Sequence, residues 1–339
     1  MIALARSCTF LRVFVFSLRV FVFRVFVLSW LIVCPVAAQP SKPIVIPDGV
    51  TPKDVTFFSE AIQCSAKIFI PKGFTADGKA AAVVLAPAPG ETAGSVEKYA
   101  AYFAGKGLVS MAIDYRGWGR SGGFLYLAEP LRWDDRLRFS QHTSKVRIRR
   151  KRQIPDAQIL DIRNAISYLQ GEPGVDRARI GVWATDAAGG HAMVIAATDS
   201  RVKAAVAQAP IIPGKDVPRK ATTPPAEQQL EMVRLARTGQ APATAVAASA
   251  MNDQEARLAL AEYRPFWYVD QIPQTTAVLS VVAEKDTKVN NDAHAVSAAK
   301  LLKGPNGVTV VPGATHALST AGAFDAAAEA AAAWFQKHL

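Results

Sequence analysis

The stretch V-W-A-T-D-A-A-G-G-H (182–191) decides how this chain is read. Its first residues close a run, A-R-I-G-V-W-A-T (178–185), that reads as a strand. Its last residues open A-A-G-G-H-A-M-V-I-A-A-T (187–198), which reads as a helix built largely of small residues. Only Asp186 lies between them. A strand that passes into a helix through one residue must turn sharply, and Ala184, Ala188, Gly189 and Gly190 leave room for that turn. The residue at such a tip is presented beyond the end of the sheet, so Asp186 is the first candidate for chemistry.

Outward from this turn the pattern alternates. V-T-F-F-S-E and A-K-I-F-I-P (55–60, 66–71) read as a hairpin, and A-A-V-V-L-A-P-A (81–88) as a strand buried on both faces. A helix over 95–107, a strand over 108–115 and a helix over 156–170 follow. Further strands are expected at 202–210, 277–284 and 307–313, with helices between and after the last two. This order predicts an α/β fold: a mostly parallel central sheet with helices on both faces. Two segments interrupt the rhythm. Residues 124–155 form a polar and aromatic insertion containing K-V-R-I-R-R-K-R (145–152), and 211–265 read as an inserted helical cap.

The N-terminus has a different character. Residues 1–38 carry Arg6, Arg12, Arg19 and Arg24 and no acid, then an apolar run (25–34), then Val36-Ala37-Ala38. That is the order of a secretory signal, and cleavage is expected after Ala38. Its 14 residues from Val25 to Ala38 are short for a membrane helix of about 20 residues. A periplasmic or secreted protein with no stable membrane insertion after cleavage, one domain over 39–339, is therefore expected. Removing those four arginines lowers the formal charge from +11 to +7 (11 − 4). The remaining excess is local to 145–152 and no recognition motif accompanies it, which argues against nucleic acid as a partner. Cys64 is the one cysteine left after such cleavage, so no internal disulfide is expected.

D-Y-R-G-W-G-R-S-G-G (114–123), N-A-I-S-Y-L-Q-G-E-P-G-V-D-R-A-R-I-G-V-W (164–183) and R-V-K-A-A-V-A-Q-A-P (201–210) resemble the α/β-hydrolase superfamily. The likeness is greatest to its bacterial esterase, acylaminopeptidase and dienelactone-hydrolase-like branch, and runs from about residue 55 to the C-terminus apart from the two insertions. The resemblance implies the α/β-hydrolase fold and a nucleophile at the turn, normally in G-x-S-x-G. Here the motif is A-T-D-A-A, with Asp186 in the Ser position and alanines at the outer glycines. The superfamily's order of nucleophile, acid and His is met by Asp186, by Asp286 in A-E-K-D-T, and by His316 in P-G-A-T-H-A. Glu284 is a nearby stand-in for Asp286, and a helix N-cap is the bland reading of Asp286.

The oxyanion loop also departs from the pattern, reading P-A-P-G-E (87–91). Pro89 has no N–H to donate. Gly90 or Glu91 supplies one if the loop is shifted, and the N–H of Ala187 remains on the other side. Members of the superfamily with Asp at the turn attack an sp³ carbon and form an ester, which His then hydrolyses with water. Epoxide opening adds an acid, commonly Tyr, for which Tyr263 and Tyr268 are candidates. Halide release usually has Trp after the nucleophile, where this chain has Ala187.

His191 reads as structural, Asp114 and Arg116 as fixing the turn after their strand, and Ser121 as a small polar residue there. No HxH, HExxH or CxxC motif suggests a metal, and no cofactor is implied. Two readings follow. One is an exported hydrolase that uses an Asp186–His316–Asp286 triad on a small organic substrate, in the manner of an epoxide hydrolase. The other is a catalytically altered or inactive relative that binds a ligand or transfers protons. Oligomeric state is left open by the sequence.

Overall fold

The computed structural model describes residues 44–128, 141–214, 254–318 and 320–339, together with Glu231, Arg234 and Leu235. The expected signal segment and most of the expected cap lie outside the described residues. Ten strands are described: β1 (Thr51–Ser59), β2 (Ile62–Ile70), β3 (Ala80–Ala86), β4 (Val109–Ile113), β5 (Phe124–Leu127), β6 (Val146–Arg149), β7 (Val175–Thr185), β8 (Val202–Gln208), β9 (Ala277–Ala283) and β10 (Asn306–Val311). The principal helices are α1 (Glu97–Gly105), α2 (Pro155–Gly171), α3 (Ala188–Thr198), α4 (Gln254–Glu262) and α5 (Ala321–His338).

Eight strands form one sheet in the order β1-β2-β4-β3-β7-β8-β9-β10. β1, β2 and β4 pair antiparallel in succession, and every pairing from β4 to β10 is parallel. The chain thus has the mostly parallel, doubly covered sheet that its alternating pattern requires. Side-chain alternation along each strand splits the interior in two. Val83, Leu85 and Trp183 face a core shared with Phe103 of α1 and Phe335 of α5. Ala82, Val84 and Val182 face the other side, against Ile162 and Ile166 of α2 and Ile195 of α3.

Two expectations are corrected. The helix foreseen after β9 is a π-helical turn, Asp292–Val296, running into a short α-turn, Ser297–Ala299. The insertion at 124–155, for which no regular element was expected, contains a two-stranded antiparallel ribbon, β5 with β6. Apolar and basic residues alternate in Val146–Arg149, which is a strand pattern hidden inside a cluster of positive charge. Of the cap region, Gln254–Glu262 is helical and Pro265–Gln271 forms a 3₁₀ segment against α3.

A buried guanidinium ties the antiparallel edge to the body. Arg116 donates to Asp161 of α2 through Nε at 2.8 Å and its backbone N–H at 2.9 Å, to Glu60 at 2.6 Å and to Ser59 at 2.6 Å. Asp114 accepts from the N–H groups of Ala93 at 2.7 Å and Arg120 at 2.9 Å. Ser121 is buried, accepts from the Ser65 N–H and donates to the Asp114 carbonyl. These residues hold the turn after β4, the role their sequence suggests.

Candidate active site

Asp186 occupies the single position between β7 and α3 and has φ +57°, a left-handed conformation that disfavours any residue with a Cβ. The surroundings hold it there. Its N–H donates to the Gln208 carbonyl at 2.9 Å, while its carbonyl accepts from Gly189 at 2.9 Å and Ile211 at 3.0 Å. The small residues have a steric cause. A Cβ on Gly189 would lie 2.6 Å from Pro210, and one on Gly190 would lie 2.8 Å from Pro265.

Two more strand ends converge on this tip. After β9, Asp286 directs Oδ2 to His316 Nδ1 at 2.7 Å, and its Oδ1 accepts from the N–H groups of Lys288 and Val289. The turn-capping role and the contact with His316 therefore coexist in one carboxylate. After β10, His316 directs Nε2 to Asp186 Oδ2 at 2.9 Å. The Asp286 side chain is wholly buried, His316 is 9% exposed and Asp186 31% exposed, so the chain of contacts opens at Asp186. Glu284 has another job: its Oε2 accepts from the Gly313 N–H at 2.6 Å and pins the loop that carries His316.

The electrostatics follow from an imidazole between two carboxylates. The hydrogen bond to Asp186 raises the His316 pKa, burial opposes it, and Asp286 adds to the rise. Burial works against ionisation of Asp186, but its bonds to His316 and to the Ala187 N–H outweigh burial and hold its pKa below the usual carboxylate value. Both shifts favour the imidazolium–carboxylate form of the pair. A serine at this tip must be deprotonated before it attacks, whereas this carboxylate is already anionic.

The oxyanion loop departs from one expectation. The Ala187 N–H, expected to stand free, is taken up by Oδ1 of Asp186 itself, because a forked carboxylate reaches both His316 and the adjacent backbone. The Glu91 N–H is also occupied, closing a turn onto the Ala88 carbonyl at 2.9 Å. Among the described residues the N–H groups of Ala88 and Gly90 make no hydrogen bond, and Pro89 has none to give. Gly90 sits at φ +102° beneath Gln153 and Trp118. Gln153 donates to the Pro89 carbonyl at 3.1 Å, and Trp118 donates to the Arg152 carbonyl at 3.1 Å. Neither was singled out by sequence, since only the folded chain brings 118 and 153 to this loop.

Tyr263 and Tyr268 are half-buried at the return of the cap region. The Tyr263 hydroxyl meets His191 Nδ1 at 2.8 Å, and His191 Nε2 meets Gln158 Oε1 at 3.2 Å. With Gln158 accepting from Nε2–H, Nδ1 accepts the Tyr263 proton. Burial pushes His191 down to about 3, so it stays neutral and keeps that arrangement. Tyr263 thus commits its proton to the interior. His294, also missed, accepts from the Ile212 N–H at 3.0 Å, and burial lowers its pKa.

Comparison with known proteins bears on the fold. No family model matches the chain. A stretch of 166 residues is 28% identical to the quorum-quenching protein AidA of Acinetobacter baumannii (strain MDR-ZJ06), covering 48% of this chain and 45% of that protein. The chain thus matches less than half the length of this curated relative. Among solved structures, a hypothetical protein from Pseudomonas aeruginosa superposes with TM-score 0.66 at 20% identity, over 89% of this chain and 99% of that one. The α/β hydrolase GrgF from Penicillium sp. sh18 gives 0.60 at 18% identity, over 85% and 99%. Dienelactone hydrolase from Anabaena variabilis gives 0.53 at 16%, over 86% and 99%. The chain has the α/β-hydrolase fold.

Proposed function

We propose that this chain is a hydrolase for small organic substrates in which Asp186 forms a covalent ester with an sp³ carbon, an epoxide being the class that fits best. The observation that carries this reading is the contact of His316 Nε2 with Asp186 Oδ2 at 2.9 Å while Nδ1 holds Asp286 at 2.7 Å. An anionic oxygen at a strained, partly open tip needs no base to become a nucleophile.

The proton balance closes on these residues. Oδ2 attacks an epoxide carbon, the C–O bond of the ring breaks, and the ring oxygen leaves as an alkoxide. The imidazolium of His316 protonates that alkoxide. Esterification removes the negative charge that had raised the His316 pKa, so the ring becomes a neutral base once the ester exists. It then takes a proton from water, whose oxygen attacks Cγ of Asp186. Charge develops on Oδ1, which already accepts from the Ala187 N–H. Collapse expels the alcohol oxygen, which takes the proton from His316. The proton of the acid left on Asp186 returns to His316 and restores the resting pair. The apolar Ala187 offers no halide contact, which weighs against alkyl halides.

The test is intact-mass spectrometry of His316→Ala protein after exposure to epoxides, alkyl halides and activated esters. An alkyl adduct mapped to Asp186 is the expected result, formed slowly because the proton donor is gone. The second reading, a binding or proton-transferring relative, draws on the absence of any N–H at Pro89 and the prior engagement of the Ala187 N–H. No adduct together with no turnover by the unaltered protein would favour it.

A further inference from the structure

The β5–β6 ribbon has an outer face that nothing among the described residues covers. Its register pairs Leu125 with Ile148 and Leu127 with Val146, and cross-strand partners share a face. These four side chains are 50%, 63%, 49% and 49% exposed. The aromatic side chains at the alternate positions of β5 face inward: the Arg152 guanidinium lies 5.4 Å from the centre of the Phe124 ring and 5.5 Å from that of Tyr126, and Arg116 lies 5.9 Å from Phe124. A two-stranded ribbon is marginal by itself in water. This one is held by its inner face, which leaves four aliphatic side chains outward with no benefit to folding.

Among the described residues of the ribbon and its flanks, 124–128 and 141–151, the charges are of one sign. Lys145 and Arg147 start from the ribbon's other face and Lys151 follows β6; all three are exposed and make no ion pair among the described residues. Long basic side chains reach past an apolar patch to meet anions at its rim. We propose that this ribbon seats the protein on an anionic lipid surface, with Leu125, Leu127, Val146 and Ile148 entering the headgroup boundary and the three cations meeting lipid phosphates. Aliphatic side chains gain from hydrocarbon, whereas a single-stranded nucleic acid asks for exposed aromatic rings among the cations. A second copy of the chain would bring two equally cationic ribbons together, which their mutual repulsion opposes.

The test is flotation with vesicles of phosphatidylcholine alone and of phosphatidylcholine mixed with phosphatidylglycerol. The chain from residue 39 onward serves, because Ile44–Leu339 is one compact unit containing every core cluster. Binding is expected to the mixed vesicles and not to the neutral ones. Replacing Lys145, Arg147 and Lys151 together by Gln should weaken it about 100-fold, at about fivefold per cation near the surface. The pair Leu125→Gln and Ile148→Gln should weaken it at least about tenfold. Circular dichroism melts of both variants should match the unaltered protein. Equal binding to neutral vesicles, no binding to either, or anionic binding that survives the Leu125/Ile148 pair would overturn the proposal. Retention of a single-stranded oligonucleotide lost only in the charge variant would move the ribbon to nucleic acid. A dimer dissolved by the Leu125/Ile148 pair would move it to self-association.

Discussion

Asp286 divides its carboxylate between two tasks: Oδ2 receives His316 Nδ1 at 2.7 Å, while Oδ1 caps the N–H groups of Lys288 and Val289 at 2.8 and 2.9 Å. An asparagine would keep the second task and spoil the first, because its carbonyl oxygen can cap the turn while its NH₂ faces the imidazole. Asp286→Asn should therefore fold normally and lower kcat by about 10³–10⁴, the scale seen when a triad His is held in the wrong tautomer. Steady-state kinetics with a thermal melt separates the two tasks; a large loss of stability would show that the capping bonds do not survive.

Asp186→Ser puts an ordinary alcohol at the tip, next to His316 Nε2 and opposite Ala187. The substitution should abolish epoxide turnover and bring weak hydrolysis of an activated aryl ester. Pro89 still withholds a donor, so that activity should remain about 10²–10³ below an ester hydrolase with both donors. Mass spectrometry should detect an acyl group on the substituted position.

The opposed shifts of Asp186 and His316 set a window in pH. The first step uses ionised Asp186 and protonated His316, so kcat/KM of the unliganded protein should be bell-shaped. Its acid limb lies below the ordinary Asp value, where Asp186 protonates, and its alkaline limb above the ordinary His value, where His316 loses its proton. The stability signs agree. His316, with its folded pKa raised, contributes stability that is full below its unfolded pKa and lost as pH rises through the folded one. Asp186, with its folded pKa lowered, contributes stability present above its unfolded pKa and lost as pH falls through the folded one. Loss of His316 by His316→Gln should flatten the alkaline decline in melting temperature.

Arg116→Ala should be severely destabilising. Arg116 and Asp161 are both nearly inaccessible, and Asp161 would be left as an unpaired buried carboxylate. Removing one partner of such a pair costs about 3–5 kcal/mol. Chemical denaturation measures the loss, and Arg116→Ala with Asp161→Ala should recover part of it.

N-terminal sequencing of exported protein tests the proposed signal segment. A chain beginning at Gln39 is the expected result, and one retaining Arg24 would exclude cleavage after Ala38.

The elbow was legible because its chemistry and its sterics coincide in ten consecutive residues. Gly189 and Gly190 must be small to admit Pro210 and Pro265, and that smallness is visible without knowing the neighbours. Asp286 and His316 were legible through their places at strand ends. The β5–β6 ribbon was obscured because Arg147 and Arg149 dominate the local composition while Val146 and Ile148 carry the alternation. The approach of Trp118 and Gln153 to Gly90 depends on how distant loops meet, and no local pattern encodes it. The π-helical turn at Asp292–Val296 was equally hidden, since one extra residue in a turn leaves the apolar spacing nearly unchanged. The contact of Tyr263 with His191 joins residues 72 positions apart, which no local pattern encodes.

The Arg116 cluster also orders events in time. Ser59 and Glu60 at the β1–β2 turn, Arg116 after β4 and Asp161 in α2 emerge from synthesis in that sequence. The hairpin can pair through its own backbone early, but the cation beneath its turn stays without its buried counter-charge until α2 arrives. The N-terminal edge of the sheet is therefore latched late, by the helix that also covers its neighbours. A nascent chain shorter than about 160 residues should hold that edge only loosely, and protease sensitivity at Glu60 and Ala61 should vanish as α2 is completed.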